Sequence, residues 1–206
     1  MLPQGTVGPS VTGDGASPVF GLRQGKLGEQ IVSNLHGKFY EQVVRGNVYI
    51  ASNVGAQAVS VALATTYTGL CLSNPLASGK NLVLLGGQYA LSVAPAAIAS
   101  LHLLSGYSAA ANVVHTTPLA SPGIQNCLIG AGPAGVATVD SAATISTPRY
   151  LVGAGSGFTA AALYATTPSW INFDGLFVIP PGGFVAWGAL TAVTGFGTLA
   201  WEEVPI

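Results

Sequence analysis

The stretch Gly175–Ile206, GLFVIPPGGFVAWGALTAVTGFGTLAWEEVPI, decides how the rest of the chain is read. Leu176–Ile179 is an apolar run of strand length, Pro180-Pro181-Gly182-Gly183 is turn chemistry, and Phe184–Leu190 is apolar again. The combination predicts a hairpin, because Pro and Gly supply the backbone angles that reverse a chain between two apolar runs. After a loop at Thr194-Gly195-Phe196-Gly197, the run Thr198–Val204 predicts a last strand that stops at Pro205, whose missing N–H ends ladder pairing. A chain finishing on such a strand is closing a sheet, so the upstream sequence should supply its partners.

It does so in short pieces. Val48–Ser52, Ala58–Ala64 and Thr68–Ser73 are β-branched or apolar runs separated by Asn53-Val54-Gly55 and Thr65-Thr66. Lys80–Leu85 and Gln88–Val93 flank Gly86-Gly87, a two-residue hairpin signal. Pro95–Ser105 carries both a helical spacing (Ile98, Leu101, Leu104) and an alternation (Ile98, Ser100, His102), and reads as strand. Gly106–Pro122 reads as a loop or irregular hairpin; Gly123–Ile129, Val136–Asp140, Arg149–Val152, Phe158–Tyr164 and Ser169–Phe173 follow as further strands. About ten to twelve strands at intervals of about 8 to 12 residues, without an amphipathic helix of convincing length, predict an all-β fold, a jelly roll or β-sandwich. No internal repeat stands out, which argues against a propeller or solenoid.

Upstream of this body, Met1–Gly21 holds Gly, Pro, Ser and Thr without periodicity and reads as an extended N-terminal arm. Leu22–Tyr49 mixes charges, apolar residues and glycines. Within it Lys38–Val44 (KFYEQVV) reads as strand, since Phe39, Tyr40, Val43 and Val44 are aromatic or β-branched. Residues 1–45 are therefore expected to form an arm and anchoring segment, and residues 46–206 the β domain.

Charge narrows the function classes. Half of the 206 residues are hydrophobic but only 6% are charged, against roughly 25% in ordinary soluble proteins. Seven charged residues lie in the first 45, two are Glu202 and Glu203, and only Lys80, Asp140, Arg149 and Asp174 fall between Gly46 and Trp201. A body this bare points to a surface covered by partners. The net charge of −1, with no basic stripe, argues against nucleic-acid binding by phosphate neutralisation. No secretory signal is visible at MLPQGTVGPS, and Gly, Pro, Ser, Thr and Asn interrupt every apolar span before it reaches the roughly 18 residues of a membrane helix. Cys71 and Cys127 read as small buried hydrophobes, and metal-ligand spacing is absent.

Leu128–Gly135 (LIGAGPAG) matches the glycine fingerprint of flavin- and nicotinamide-binding turns, in which a tight turn leads from a strand into a helix. The residues that follow, VATVDSAATISTP, are β-branched, and no Asp or Glu lies about 20 residues on to hold a ribose. A glycine-rich β-turn is the better reading, and no cofactor is expected. Gly153–Gly157 is read the same way, and Ser78-Gly79-Lys80-Asn81 lacks both the leading Gly and the closing Ser or Thr of a phosphate loop. His36, His102 and His115 could each act as a base, with Asp140, Asp174, Glu202 or Glu203 as orienter, but no serine sits in a nucleophile elbow. Glu202 and Glu203, adjacent on a strand, point to opposite faces and make a poor acid/base pair. Trp170, Trp187, Trp201, Tyr107, Tyr150 and Tyr164 could line a sugar platform, or fill a core or subunit interface.

Gly28-Glu29, Ile31-Val32-Ser33, His36-Gly37-Lys38, Tyr40-Glu41 and Arg45-Gly46-Asn47 form a pattern, and the end of the chain adds an apolar strand, a Pro-Gly turn and a Trp-Glu-Glu strand. Together they resemble virion structural proteins of tailed bacteriophages in which such a segment precedes a jelly-roll body. The resemblance runs from Leu22 to Ile206 and leaves the arm before Leu22 uncovered. It implies a capsid decoration or cement protein on the outer capsid surface, a homotrimer bound to the major capsid protein and acting by binding rather than catalysis. Seven of the chain's thirteen charges lie in residues 1–45, so Arg23, Lys26, Glu29, Lys38, Glu41 and Arg45 are the expected capsid-binding residues. The other classes are a receptor-binding fibre or spike domain that recognises host glycans through loop aromatics, and a flavin- or nucleotide-binding enzyme.

Overall fold

The computed structural model describes residues 37–61, 63–93, 95, 97, 99–110, 113–119, 123–130, 132–157 and 170–206. The chain divides into two compact units, Met1–Tyr40 and Glu41–Ile206. The arm, Arg23, Lys26, Glu29, His36 and the expected strand at Phe158–Tyr164 lie outside the described residues.

Lys38–Val44 is not a strand. Tyr40–Val44 is a short helix, α1, with Glu41 in its first turn, where a carboxylate faces the positive end of the helix dipole. Gly46, at φ 75, stops it. The Gly46 and Asn47 N–H groups return to the carbonyls of Val43 and Gln42, the paired bonds of a glycine-terminated helix end. The β-branched residues are thus outvoted by a stop signal, Arg45-Gly46-Asn47, that a helix uses and a strand does not.

Twelve strands follow among the described residues: β1 (Val48–Ser52), β2 (Gln57–Val59), β3 (Thr66–Ser73), β4 (Lys80–Leu91), β5 (Ala99–Tyr107), β6 (Val113–Pro118), β7 (Ile124–Asn126), β8 (Thr138–Ile145), β9 (Arg149–Gly157), β10 (Ile171–Ile179), β11 (Gly183–Ala189) and β12 (Val193–Pro205). They form two antiparallel sheets. Sheet I has the order β10-β4-β12-β1-β7, with β2 also on β12, and sheet II the order β6-β8-β3-β11-β5-β9. Without β2 and the β6–β8 insertion, sheet I is β10-β4-β12-β1 and sheet II is β3-β11-β5-β9. The chain then changes sheet at every step except from β5 to β9, which is the eight-stranded, double Greek-key path of a jelly roll.

This path corrects four readings of the sequence. The Pro180–Gly183 turn forms, with the Gly183 N–H donating to the Pro180 carbonyl, but β10 pairs with β4 while β11 pairs with β3 and β5. The turn carries the chain between sheets rather than closing a hairpin. Gly86-Gly87 is not a turn either, since β4 runs through it. The Trp170 indole lies against Gly86, and Thr198, Leu199 and Trp187 crowd Gly87, so the missing side chains make room for neighbours. Finally, Thr194–Gly197 is strand, paired with β2 and β4. The separate strands expected at Ser169–Phe173 and Leu176–Ile179 are one strand, β10, bulged between Asn172 and Phe177, with Asp174 at φ 50 and Gly175 at φ 81.

The core lies between the sheets. Leu82, Leu84, Leu199 and Trp201 of sheet I face Leu70, Leu72, Leu103, Val185 and Trp187 of sheet II, all buried. Trp187 is fully enclosed. Its indole N–H donates to the Thr198 carbonyl at 3.3 Å, and its ring meets Tyr89 at 5.7 Å. One side chain of sheet II thereby contacts two strands of sheet I, and burying an aromatic of this size stabilises by several times the thermal energy. Tyr49 stacks on Trp201 at 6.0 Å. On β11 the alternate residues Phe184 and Ala186 are buried too, in a second cluster with Tyr67, Cys71, Ala143 and Ile145. That strand is covered on both faces.

Candidate functional site

Of the six expected capsid-binding residues, Lys38, Glu41 and Arg45 are described, and all three are exposed. Lys38 Nζ lies 5.3 Å from the centre of the Phe39 ring, Glu41 lies in the first turn of α1, and Arg45 directly follows its last residue, Val44. All three lie at the surface of one short segment.

The charged residues of the β domain behave differently. Lys80 Nζ is 3.0 Å from Glu203 Oε2. Glu203 Oε1 accepts from the backbone N–H groups of Val136 at 2.8 Å and Ala137 at 3.1 Å. Glu203 is buried and Glu202 half-buried, the opposite facing expected of neighbours on a strand. Glu203 therefore pins the segment that follows Gly135. That segment enters β8 directly, so the strand–turn–helix geometry of a dinucleotide fingerprint is not formed there. Asn126 holds the preceding turn, its amide donating to the Gly46 carbonyl at 2.8 Å and its carbonyl accepting from the Leu128 N–H at 2.8 Å.

His115 and Asp140 come together on β6 and β8, with Nδ1 2.6 Å from Oδ2. The Asp140 carboxylate is fully buried, and its Oδ1 has no hydrogen-bond partner among the described residues. Burial holds its pKa above the ordinary 3.8, while the hydrogen bond and charge of His115 pull it back. Beside it Cys71, opposite Asp140 in the β3–β8 register, has its thiol pushed well up by burial first and by Asp140 second. His115 opens on a cavity of about 270 Å³ shared with Ser73, Asn74, Pro75 and Gly182. A carboxylate on Nδ1 is the orientation that a histidine base needs. Among the described residues the rest of a hydrolytic site is not assembled there. Ser73 Oγ is 2.7 Å from Thr138 Oγ1, and the N–H groups of Gly182 and Gly183 are spent on the carbonyls of Asn74 and Pro180.

The third histidine, His102, is buried edge-on to Tyr150 at 4.5 Å, and burial lowers its pKa. Both cysteines are free, Cys71 buried and Cys127 half-buried. Among the described residues no group of three or more His, Cys, Asp or Glu side chains could hold a metal ion, and no helix is long and apolar enough to cross a membrane.

A larger groove, about 580 Å³, opens between β9 and β10, the two strands that end sheets II and I on the same side of the sandwich. Tyr107, Thr147, Arg149, Leu176 and Val178 line it, over a floor of Ile179 and Val185. Tyr107, Leu176 and Val178 are more than half exposed. Of the aromatic residues considered for a sugar platform, Trp187 and Trp201 are core, whereas Tyr107, Tyr150 and Trp170 are exposed; Tyr164 lies outside the described residues. The sequence reading missed this groove, although one signal was present. Arg149 is one of only four charges between Gly46 and Trp201.

No known protein family matches the chain, and neither a curated protein nor a solved structure matches it.

Proposed function

We propose that the protein is a virion structural protein, a capsid decoration or cement protein that binds the major capsid shell as a homotrimer. The observation that carries this reading is a jelly-roll surface nearly without free charge. Between Gly46 and Trp201 only Lys80, Asp140, Arg149 and Asp174 are charged. Lys80 is paired with Glu203 and Asp140 with His115. Large apolar residues such as Leu76, Val114, Leu176 and Val178 stand exposed on the same body. Such a surface favours association over free solution, and jelly rolls are frequent in viral shells. That last point is an analogy of fold alone. In this reading the charges of Arg23, Lys26, Glu29, Lys38, Glu41 and Arg45 make the polar contacts to the shell, and trimer contacts cover part of the apolar surface.

Native mass spectrometry and co-sedimentation with shells of the cognate major capsid protein test it. A trimer that sediments with shells, and whose occupancy falls when Met1–Gly21 is deleted, is the expected result. A monomer that ignores the shells would overturn the proposal, and unchanged occupancy of the truncated chain would overturn the role of the arm.

A further inference from the structure

The groove between β9 and β10 lies where the core gives out. Along β5, Leu101 and Leu103 face the interior. Alternation brings Ser105 and Tyr107 to the same face, and Ser105 stands opposite Arg149 in the β5–β9 register. Two polar side chains and a cation thus occupy positions that continue the apolar inner face. Arg149 has no ion-pair partner among the described residues, whereas Lys80 and Asp140 both have one. An unpaired guanidinium on the rim of an apolar cleft is a ready fork for a carboxylate. Thr147, at the same groove, is held at φ 46. This angle is costly for a β-branched residue, and strain of this kind clusters at ligand clamps.

Two classes of occupant could supply an anion beside apolar surface. An extended acidic peptide would add a strand to an open sheet edge. Both edges here are irregular. β10 is bulged between Asn172 and Phe177, and the β5–β9 ladder shifts register twice, between Leu101 and His102 and between Leu103 and Leu104. Bulges blunt an edge against added strands. The groove is also the size of a site for a small ligand, typically about 300 to 1,000 Å³, in which a few polar groups fix orientation over an apolar floor.

We propose that this groove binds an acidic saccharide. Arg149 takes the sugar carboxylate in a two-bond fork, the Tyr107 ring packs on the apolar face of the sugar ring, and the hydroxyls of Ser105 and Thr147 bond its hydroxyls. The proposal does not depend on capsid attachment, because the purified protein suffices to test it.

The test is a titration of the full chain, followed by calorimetry and by amide chemical shifts, with a galacturonate oligomer, free galacturonate, the neutral galactose oligomer and an acidic peptide of similar charge. The galacturonate oligomer should shift amides of Tyr107, Arg149 and Leu176, bind at least tenfold more tightly than the neutral oligomer, and weaken with added salt. Free galacturonate should shift the same amides at higher concentration. R149A should cost at least tenfold for the acidic oligomer and little for the neutral one, and Y107A should weaken both. Equal binding of acidic and neutral oligomers, binding unaffected by R149A, preferential binding of the peptide, or no shift at the groove would each overturn the assignment. Both substitutions are at exposed positions, and retained amide dispersion elsewhere separates a lost site from a lost fold.

Discussion

Lys80 Nζ and Glu203 Oε2 stand 3.0 Å apart across the β4–β12 ladder, the carboxylate side chain wholly buried and the ammonium still partly in water. The carboxylate does more than pair. Its other oxygen accepts two backbone N–H groups, from Val136 and Ala137. Removing it leaves a cation, the two backbone donors and the Trp201 indole N–H, 3.5 Å from the same oxygen, without this acceptor.

Glu203→Ala is therefore expected to destabilise the fold by about 2 to 6 kcal/mol, about 1 to 3 kcal/mol for each backbone donor left without an acceptor. Lys80→Met should cost less, because the carboxylate keeps its two backbone donors. Urea unfolding of the two variants checks the order. A smaller loss for Glu203→Ala than for Lys80→Met would mean that the backbone bonds carry little.

The Asp140 carboxyl, raised by burial, gives a dependence on pH with a definite sign. A carboxyl that holds its proton more tightly folded than unfolded adds stability where it is protonated, and loses that contribution as pH rises from its ordinary 3.8 through its higher folded value. Asp140→Asn has no such titration. The stability of the native chain minus that of the variant should fall as pH rises across this window and then level off. Paired unfolding curves from pH 3.5 upward measure it, and a difference that rises with pH would show that His115 outweighs burial.

Gly87 and Gly153 offer a matched pair. A Cβ on Gly87 would stand 2.9 Å from the Thr198 carbonyl oxygen and 3.1 Å from the Trp187 ring, whereas nothing lies within 4 Å of one on Gly153. Gly87→Ala should cost about 1 to 3 kcal/mol through overpacking, and Gly153→Ala should stay within about 0.5 kcal/mol of the native chain. Thermal unfolding of both variants tests the central position of Trp187.

The two thiols should differ in reactivity. Cys71 is fully enclosed and its thiol is pushed far up, while Cys127 is half-buried with a smaller upward push from burial. Under native conditions iodoacetamide should modify Cys127 first, and Cys71 only after denaturant is added. Peptide mapping of the alkylated chain would show a breach in the second core cluster if Cys71 reacted early.

Much of the sandwich was legible from local signals. Val48–Ser52 matches β1 residue for residue, because Asn47 and Asn53 punctuate a clean β-branched run on both sides. The glycines misled where their reason lies far away in the chain. Gly86 is bare because Trp170 needs the space, and Gly87 because Trp187 does. Pro180–Gly183 was rightly a turn, but a turn does not say whether its two strands pair or part, and here long-range pairing with β4 and with β3 and β5 decides. The sites were less visible for the same cause. His115 and Asp140 are separate in sequence, and the irregular β6–β8 ladder that joins them runs through a stretch with no period to read. Arg149 stood out only by rarity, and its place at the groove follows from its pairing with Ser105.

The strand β12 lies in the middle of sheet I, with β4 along one side and β1 and β2 along the other, although it is synthesised after all three of them. During translation, at about 5 to 20 residues per second, β1 and β4 emerge long before the strand that joins them, with their facing edges open. An edge of that kind recruits foreign strands. The nascent protein thus passes through an interval of exposure that ends only when Val193–Pro205 leaves the ribosome, and a message cut short before Val193 yields two unjoined halves of a sheet rather than a smaller folded domain.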